Sequence, residues 1–134
     1  MKRLMYFSFV CLWLLNISVY ASSDAQVAKI VSSKTMPVGV VFEIVAAEDG
    51  LNWALPKIKR YVKALRKKYP KIKIAVVSHG KELFALQEKH TKKYQQIHSL
   101  TKGLVANDKV TVHVCETYAR NSGIEPEAFP KHIS

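Results

Sequence analysis

The chain has 134 residues, a hydrophobic fraction of 49% and a formal net charge of +11. This length suits one small domain with one core, and we expect no second domain. The basic charge is typical of proteins that bind nucleic acid, an anionic membrane or small anions.

The first 21 residues have the order of a secretory signal peptide. Lys2 and Arg3 precede an apolar run, and Val19-Tyr20-Ala21 ends it with a small residue. We predict cleavage after Ala21, a periplasmic or secreted protein, and no stable membrane insertion after cleavage. The alternative is a membrane anchor, but the apolar run is only about 17 residues long and Asn16 interrupts it.

Loss of the leader would leave 19 basic residues against 10 acidic ones, a net charge of +9. Export makes nucleic acid a poor candidate partner. The segment Leu51–Lys81 holds ten basic residues and no acidic one. It is interpreted either as a solvated helix face or as a patch that attracts anions or a partner, and the residues selected for such a patch are Lys57, Arg60, Lys63 and Lys67.

After the leader, the sequence predicts a lead-in, a strand and a helix. Residues 22–37 are mostly polar, so we predict a flexible lead-in before a domain at 38–134. The continuous apolar run Val38–Ala46 carries a single charge, Glu43, and predicts a strand covered on both faces. A helix is predicted from Leu51, with Pro56 in its first turn and one apolar stripe formed by Leu51, Leu55, Ile58, Val62 and Leu65.

The second half repeats the alternation of strand and helix. Ile72–Ser78 predicts a second buried strand, followed by a turn at His79-Gly80. Two helical segments follow, KELFALQEKH and KKYQQIHSL, and Lys102-Gly103 is predicted to cap the second one. After a turn at Asn107-Asp108 come a third strand, Val110–Cys115, and a short helix, Thr117–Asn121, ended by Gly123.

Strands separated by helices predict a parallel sheet. Right-handed crossovers then connect the strands, and we expect helices on both sides of the sheet. The predicted fold class is therefore α/β with a mostly parallel central sheet. Three recognisable strands leave edges that must be covered, so we also predict association of the chain with itself or with a related subunit.

Cys115 is predicted to lie where ligands collect in such a sheet, at the carboxyl end of a strand. A helix starting at Glu116 or Thr117 would favour the thiolate there, although the carboxylate of Glu116 opposes this effect. His113 is on the same face of the strand, about 7 Å away, and His79 ends the neighbouring strand. The alternative is a buried, inert cysteine beside a turn histidine.

A single cysteine in the mature chain cannot form an internal disulfide, so its thiol is free, paired with another chain, or reactive. No C-x-x-C or H-x-x-x-H spacing is present, which argues against a metal site. We predict neither a metal nor a cofactor.

Four segments between Val40 and Pro130 carry a family resemblance: VVFEIV, NWAL, KIAVVSHG and GLVANDKVTVHVCETYARNSGIEPEAF. On these segments the chain resembles the DsrE/DsrF-like sulfur-relay family. The resemblance implies a three-layer α/β sandwich that assembles into homotrimers, hexamers or related oligomers. It also implies that Cys115 carries sulfane sulfur as a persulfide, with His79 and Gly80 in the adjacent turn.

Family members usually continue beyond the segment that resembles IEPEAFP, whereas this chain stops at KHIS. We therefore expect the domain to lack the last elements of the family. Two functions follow from the sequence. The first is an exported sulfur carrier that exchanges sulfur with donor and acceptor proteins or with polysulfide. The second is a non-catalytic binding or assembly module with an inert cysteine.

Overall fold

Three parallel strands form the sheet in the computed structural model, which describes residues 22–134. They are β1 (Gly39–Ile44), β2 (Lys73–Ser78) and β3 (Thr111–Val114), in the order β1-β2-β3. The predicted α/β class with a parallel sheet is confirmed. The predicted signal peptide lies outside the described residues.

Two long helices connect the strands. Helix α2 (Leu51–Lys68) joins β1 to β2, and α3 (Gln95–Ala106) is the main helix between β2 and β3. Two right-handed crossovers that step in the same direction across a sheet place both helices on the same face. The two helices do pack against each other, and the ring of Phe42 on β1 stacks on Tyr61 of α2 at 5.7 Å between centroids.

The two faces of the sheet consequently differ. The helix-covered face carries the even-numbered strand residues, which include Ile44, Ile74, Val76 and Val112, all at most 5% exposed. The other face, called here the open face, carries the odd-numbered residues, and on it Val41 is 64% exposed. Since α2 and α3 share one face, the three-layer sandwich is not confirmed for residues 22–134.

Helix α1 (Ser23–Ser32) occupies the segment in which a flexible lead-in was predicted. The hydroxyl of Ser22 caps it by accepting a hydrogen bond from the backbone N–H of Ala25. Asp24 accepts a 2.6 Å hydrogen bond from the Tyr61 hydroxyl, and this bond, followed by that from Lys57, lowers the pKa of the carboxyl. These contacts to α2 explain why a polar segment adopts a defined helix.

Helix α2 begins at Leu51, as the apolar stripe predicted. Pro56, however, lies inside the helix rather than in its first turn. A proline at this position cannot donate to the carbonyl of Asn52, which costs the helix one bond of its ladder. Burial of the stripe offsets this loss, because Leu51, Leu55 and Leu65 are all at most 1% exposed.

The side chain of Arg66 on α2 ties together the amino-terminal ends of β2 and β3. Its guanidinium donates to the carbonyl oxygens of Pro70 and Ile72, which precede β2, at 3.1 and 2.6 Å. It also donates to those of Asp108 and Lys109, which precede β3, at 2.9 and 3.2 Å. Lys109 has a φ of 54°, so the hydrogen bonds from Arg66 hold a non-glycine residue in the left-handed region.

The region between β2 and β3 differs from its prediction in two details. KELFALQEKH forms two short 3-10 helices, Lys81–Leu86 and Glu88–His90, rather than an α-helix. The predicted cap at Gly103 is wrong, because α3 continues to Ala106 and thereby buries Leu104 completely. The turn at Asn107-Asp108 is confirmed.

The chain after β3 forms helix α4 (Glu116–Asn121) and then returns to the sheet. Gly123 ends the helical region at a φ of 70°, in the left-handed conformation that glycine adopts readily. Ser134 then lies beside β3, donating its N–H to the carbonyl of Val112 at 3.1 Å and accepting from the N–H of Val114 at 2.8 Å.

Candidate functional site

Two backbone hydrogen bonds align the carboxyl ends of the three strands. The N–H of His79 donates to the carbonyl of Ile44 at 2.8 Å, and that of Cys115 donates to Ser78 at 2.8 Å. Because the strands are parallel and in register, Val45, His79 and Cys115 follow one another across the top of the open face. The sequence had predicted that His79 and Cys115 end adjacent strands, and the structure places them so.

Cys115 is the free cysteine of the described chain, and it is partly exposed. Its backbone is extended and directly precedes α4. Since α4 has only six residues, its dipole is a weak source of thiolate stabilisation. Glu116, the residue expected to oppose the thiolate, forms an ion pair with Arg120 at 3.1 Å, which reduces its influence on the thiol.

His79 is paired with Glu43, a residue that the sequence analysis did not assign to the site. The ring Nδ1 and the carboxylate Oε1 are 2.6 Å apart, and both side chains are about half exposed. When Nδ1 carries the proton and donates it to Glu43, the Nε2 atom of the neutral ring is left as an acceptor. The signal in the sequence was the single charge of an otherwise apolar strand.

Glu82 holds the turn that carries His79. This side chain is fully buried, and its Oε1 accepts from the hydroxyl of Ser78 and from the N–H groups of His79 and Gly80 at 2.8 to 2.9 Å. Its Oε2 accepts from the N–H of Ala46, which follows β1, at 2.8 Å. Four donors converging on two oxygens is the arrangement that suits a buried carboxylate. Glu82 thus joins the ends of β1 and β2.

Gly80 is required by this arrangement for steric reasons. A Cβ at position 80 would lie 2.7 Å from Oε2 of Glu82 and 3.1 Å from the carbonyl oxygen of Ala46. Any side chain would therefore displace the buried carboxylate or the chain after β1. The turn could be predicted from the sequence but the position of Glu82 could not, because the sequence does not show whether an acid two residues beyond a turn points inward.

His113 has a different partner from His79. Its Nδ1 lies 2.6 Å from the hydroxyl of Ser134. His113 also lines a cavity of about 310 Å³, together with Phe129 and Ile133 from the end of the chain. Within residues 22–134, neither His79 nor His113 is hydrogen-bonded to the Cys115 thiol. The structure places all three on the open face without joining them.

Comparison with family models, with curated proteins and with solved structures finds no match. The site is therefore interpreted from its own geometry. Within the described part of the chain, no three His, Cys, Asp or Glu side chains are grouped to hold a metal ion. In the same part, no helix is both long and apolar enough to cross a membrane.

The four basic residues selected from the sequence do not form one patch. Lys57 forms an ion pair with Asp24 at 2.9 Å, and the hydrogen bond to that carboxylate raises the pKa of Lys57. Arg60 and Lys63 line a groove between α2 and α3. Lys67 is exposed near the end of α2 and does not line that groove.

Proposed function

We propose that the protein is an exported sulfur carrier that holds sulfane sulfur as a persulfide on Cys115. One observation carries the proposal: a partly exposed thiol at the carboxyl end of β3, on the open face of a parallel sheet. In sheets of this kind, reacting groups collect at the carboxyl ends of the strands. The resemblance of VVSHG and VCETYARNSGI to the DsrE/DsrF-like family supports the same assignment.

The chemistry is a thiol–persulfide exchange. The Cys115 thiolate attacks the outer sulfur of a donor persulfide, R–S–SH. The S–S bond of the donor breaks, its inner sulfur leaves as the thiolate R–S⁻, and a new S–S bond gives Cys115–S–SH. No net oxidation occurs, because one S–S bond replaces another, and no cofactor takes part. An acceptor thiolate removes the sulfur by the same reaction.

His79 is assigned as the group that takes the thiol proton. Adjacent strands lie about 4.8 Å apart, so the His79 backbone is next to that of Cys115. Glu43 holds the Nδ1 side of the ring at 2.6 Å, which leaves Nε2 for the proton. His113 lies on the same face of β3, two residues before Cys115, where it orients the donor or acceptor.

The proposal includes the finer features that the resemblance implies. These are a DsrE-like three-layer sandwich, a homo-oligomer, and a periplasmic or secreted location after removal of the leader. Exposed apolar side chains on and beside β1, among them Val41 and Val45, are consistent with a surface that another subunit covers. In such an assembly another subunit would cover the open face and supply the third layer.

Intact mass spectrometry after incubation with inorganic polysulfide tests the proposal. We expect an addition of about 32 Da, one sulfur atom, that a reductant removes. Cys115→Ser should abolish the adduct, whereas Ser122→Ala, a change of an exposed residue after α4, should leave it intact. A chain that stays unmodified while a small-molecule thiol in the same mixture is converted would refute sulfur carriage and favour the non-catalytic binding module.

A further inference from the structure

The strongest unassigned feature is a groove between α2 and α3, called here the basic groove. It has a volume of about 650 Å³ and runs beside residues 56 to 66 of α2. At 1.5 Å per residue, this stretch is about 15 Å long. The groove is therefore long enough for about three turns of a docked helix, and it lies on the helix-covered side of the molecule, away from Cys115.

The rim of the basic groove is positively charged. Lys59, Arg60 and Lys63 line it and are exposed, and no ion pair within residues 22–134 involves any of them. Arg66 adds a fourth positive charge to the lining. Its guanidinium is fixed in place by hydrogen bonds to main-chain carbonyls. Asp108 is the acidic residue on the lining. Lys63 is a neighbour of both Lys59 and Arg60 on the helix surface, because helix neighbours recur three and four residues apart.

The floor of the basic groove is apolar. Pro56 and Val62 of α2 and Leu100 of α3 form it, and Pro56 and Leu100 are only partly buried. A simple phosphate or polysulfide anion would use the cations and leave this floor uncovered. An amphipathic helix would use both, because its apolar side chains fill a hydrophobic groove while its polar face meets the rim.

We infer that the basic groove docks an acidic amphipathic helix of a partner protein. Leucine-like side chains of the partner cover Pro56, Val62 and Leu100, and its glutamates or aspartates pair with Lys59, Arg60 and Lys63. Opposite charge also speeds the encounter of two proteins and suppresses wrong partners. The inference goes beyond sulfur carriage, since no part of the groove includes Cys115 or His79.

Fluorescence anisotropy with labelled helical peptides tests the inference on the full chain after removal of the leader. The probes are peptides of about 14 residues composed of glutamate and leucine, with the leucines in every helical register. A matched set carries serine in place of leucine. The groove variant is Lys59→Glu/Lys63→Glu, and its charge-matched control is Lys34→Glu/Lys131→Glu, at exposed positions outside the groove. Circular dichroism confirms that both variants are folded.

The expected result is binding of at least one leucine peptide that weakens about 10-fold or more in the groove variant and less than about 2-fold in the control. Binding should also weaken with added salt. Three results would overturn the inference: no register binds, the serine peptides bind equally well, or both double variants lose the same affinity. Sulfur loading of Cys115 by inorganic polysulfide should be unchanged in the groove variant, so this test and that of the carrier fail independently.

Discussion

The two faces of the sheet are built from similar residues but differ in burial. Val76 on the helix-covered face is 1% exposed, whereas Val41 on the open face, one row away on the neighbouring strand, is 64% exposed. The helix-covered face contributes to the core and thus to stability. Every residue assigned to sulfur chemistry lies on the open face, namely Glu43, His79, His113 and Cys115.

The pleat of the strands thus separates the residues that stabilise the core from those assigned to the proposed chemistry. Because successive side chains point to opposite faces, neighbouring residues such as Ser78 and His79 belong to different environments. Ser78 is 1% exposed and bonded to Glu82, while His79 is exposed and bonded to Glu43. Variants of the two faces should therefore separate into two classes.

Glu82→Gln should have the largest effect, because it replaces the buried carboxylate that joins the ends of β1 and β2. The amide replaces one oxygen by an N–H₂ donor, which faces backbone N–H groups instead of accepting from them. We expect a loss of about 3 kcal/mol in the free energy of unfolding, measured by urea denaturation. Glu43→Gln, the same change at an exposed position, should cost less than about 1 kcal/mol. Equal losses would show that Glu82 has no special role.

Val76→Ala should have the next largest effect and tests the comparison directly. Removal of two buried methyl groups and the resulting cavity should cost about 2 kcal/mol. Val41→Ala removes the same atoms from the open face and should change stability by less than about 0.5 kcal/mol. The measurement is again urea denaturation. A large loss in Val41→Ala would mean that the open face is covered in solution, which sedimentation would reveal as an assembly.

His132 should produce the smallest effect, seen as a dependence of stability on pH. Burial lowers the pKa of its imidazole below the ordinary value, and His98 and Lys102 on α3 lower it further, while Glu88 acts in the opposite direction. The unfolded chain therefore binds the proton more readily than the folded one. The contribution of His132 to stability is therefore present above the unfolded pKa of about 6.5 and is lost as the pH falls from there towards the folded pKa.

The control for this effect is His132→Gln, which removes the titrating group. The difference in unfolding free energy between about pH 7.5 and about pH 5.5 should be smaller in the variant than in the native chain. An unchanged or larger difference would contradict a lowered pKa of the partly buried His132. All other ionisable groups are the same in the two proteins, so only the difference between the two reports on this residue.

Much of the fold could be predicted from the sequence, because each element carries its own periodic signal. The three strands, helix α2 and the turn at Asn107-Asp108 all appear where the apolar pattern placed them. The number of layers could not be predicted, because the run Val38–Ala46 is apolar on both faces, and periodicity does not show which face a helix covers. Helix α1 was missed since its stability depends on the contacts of Asp24 with Lys57 and Tyr61, which are distant from Asp24 in the sequence.

The candidate site shows the same limit. The positions of His79 and Cys115 at adjacent strand ends could be predicted, because each residue stands at the end of an apolar run. Glu43 and Glu82 required knowledge of the strand register and of burial. Lys57 was selected on charge alone, yet its charge pairs with Asp24, whereas Lys59 was overlooked and lines the basic groove. Charge is visible in a sequence, but its partners are not.

The strand order described above has a consequence for how quickly the chain folds. Each strand pairs with the next one along the chain, so the paired residues Gly39 and Lys73 are 34 positions apart, and Ala75 and Thr111 are 36 apart. Within residues 22–134, each pairing between strands spans a single strand–helix–strand unit. Folding rates rise as contacts become more local. The two strand–helix–strand units can thus form one after the other as the chain is synthesised, with the amino-terminal unit first.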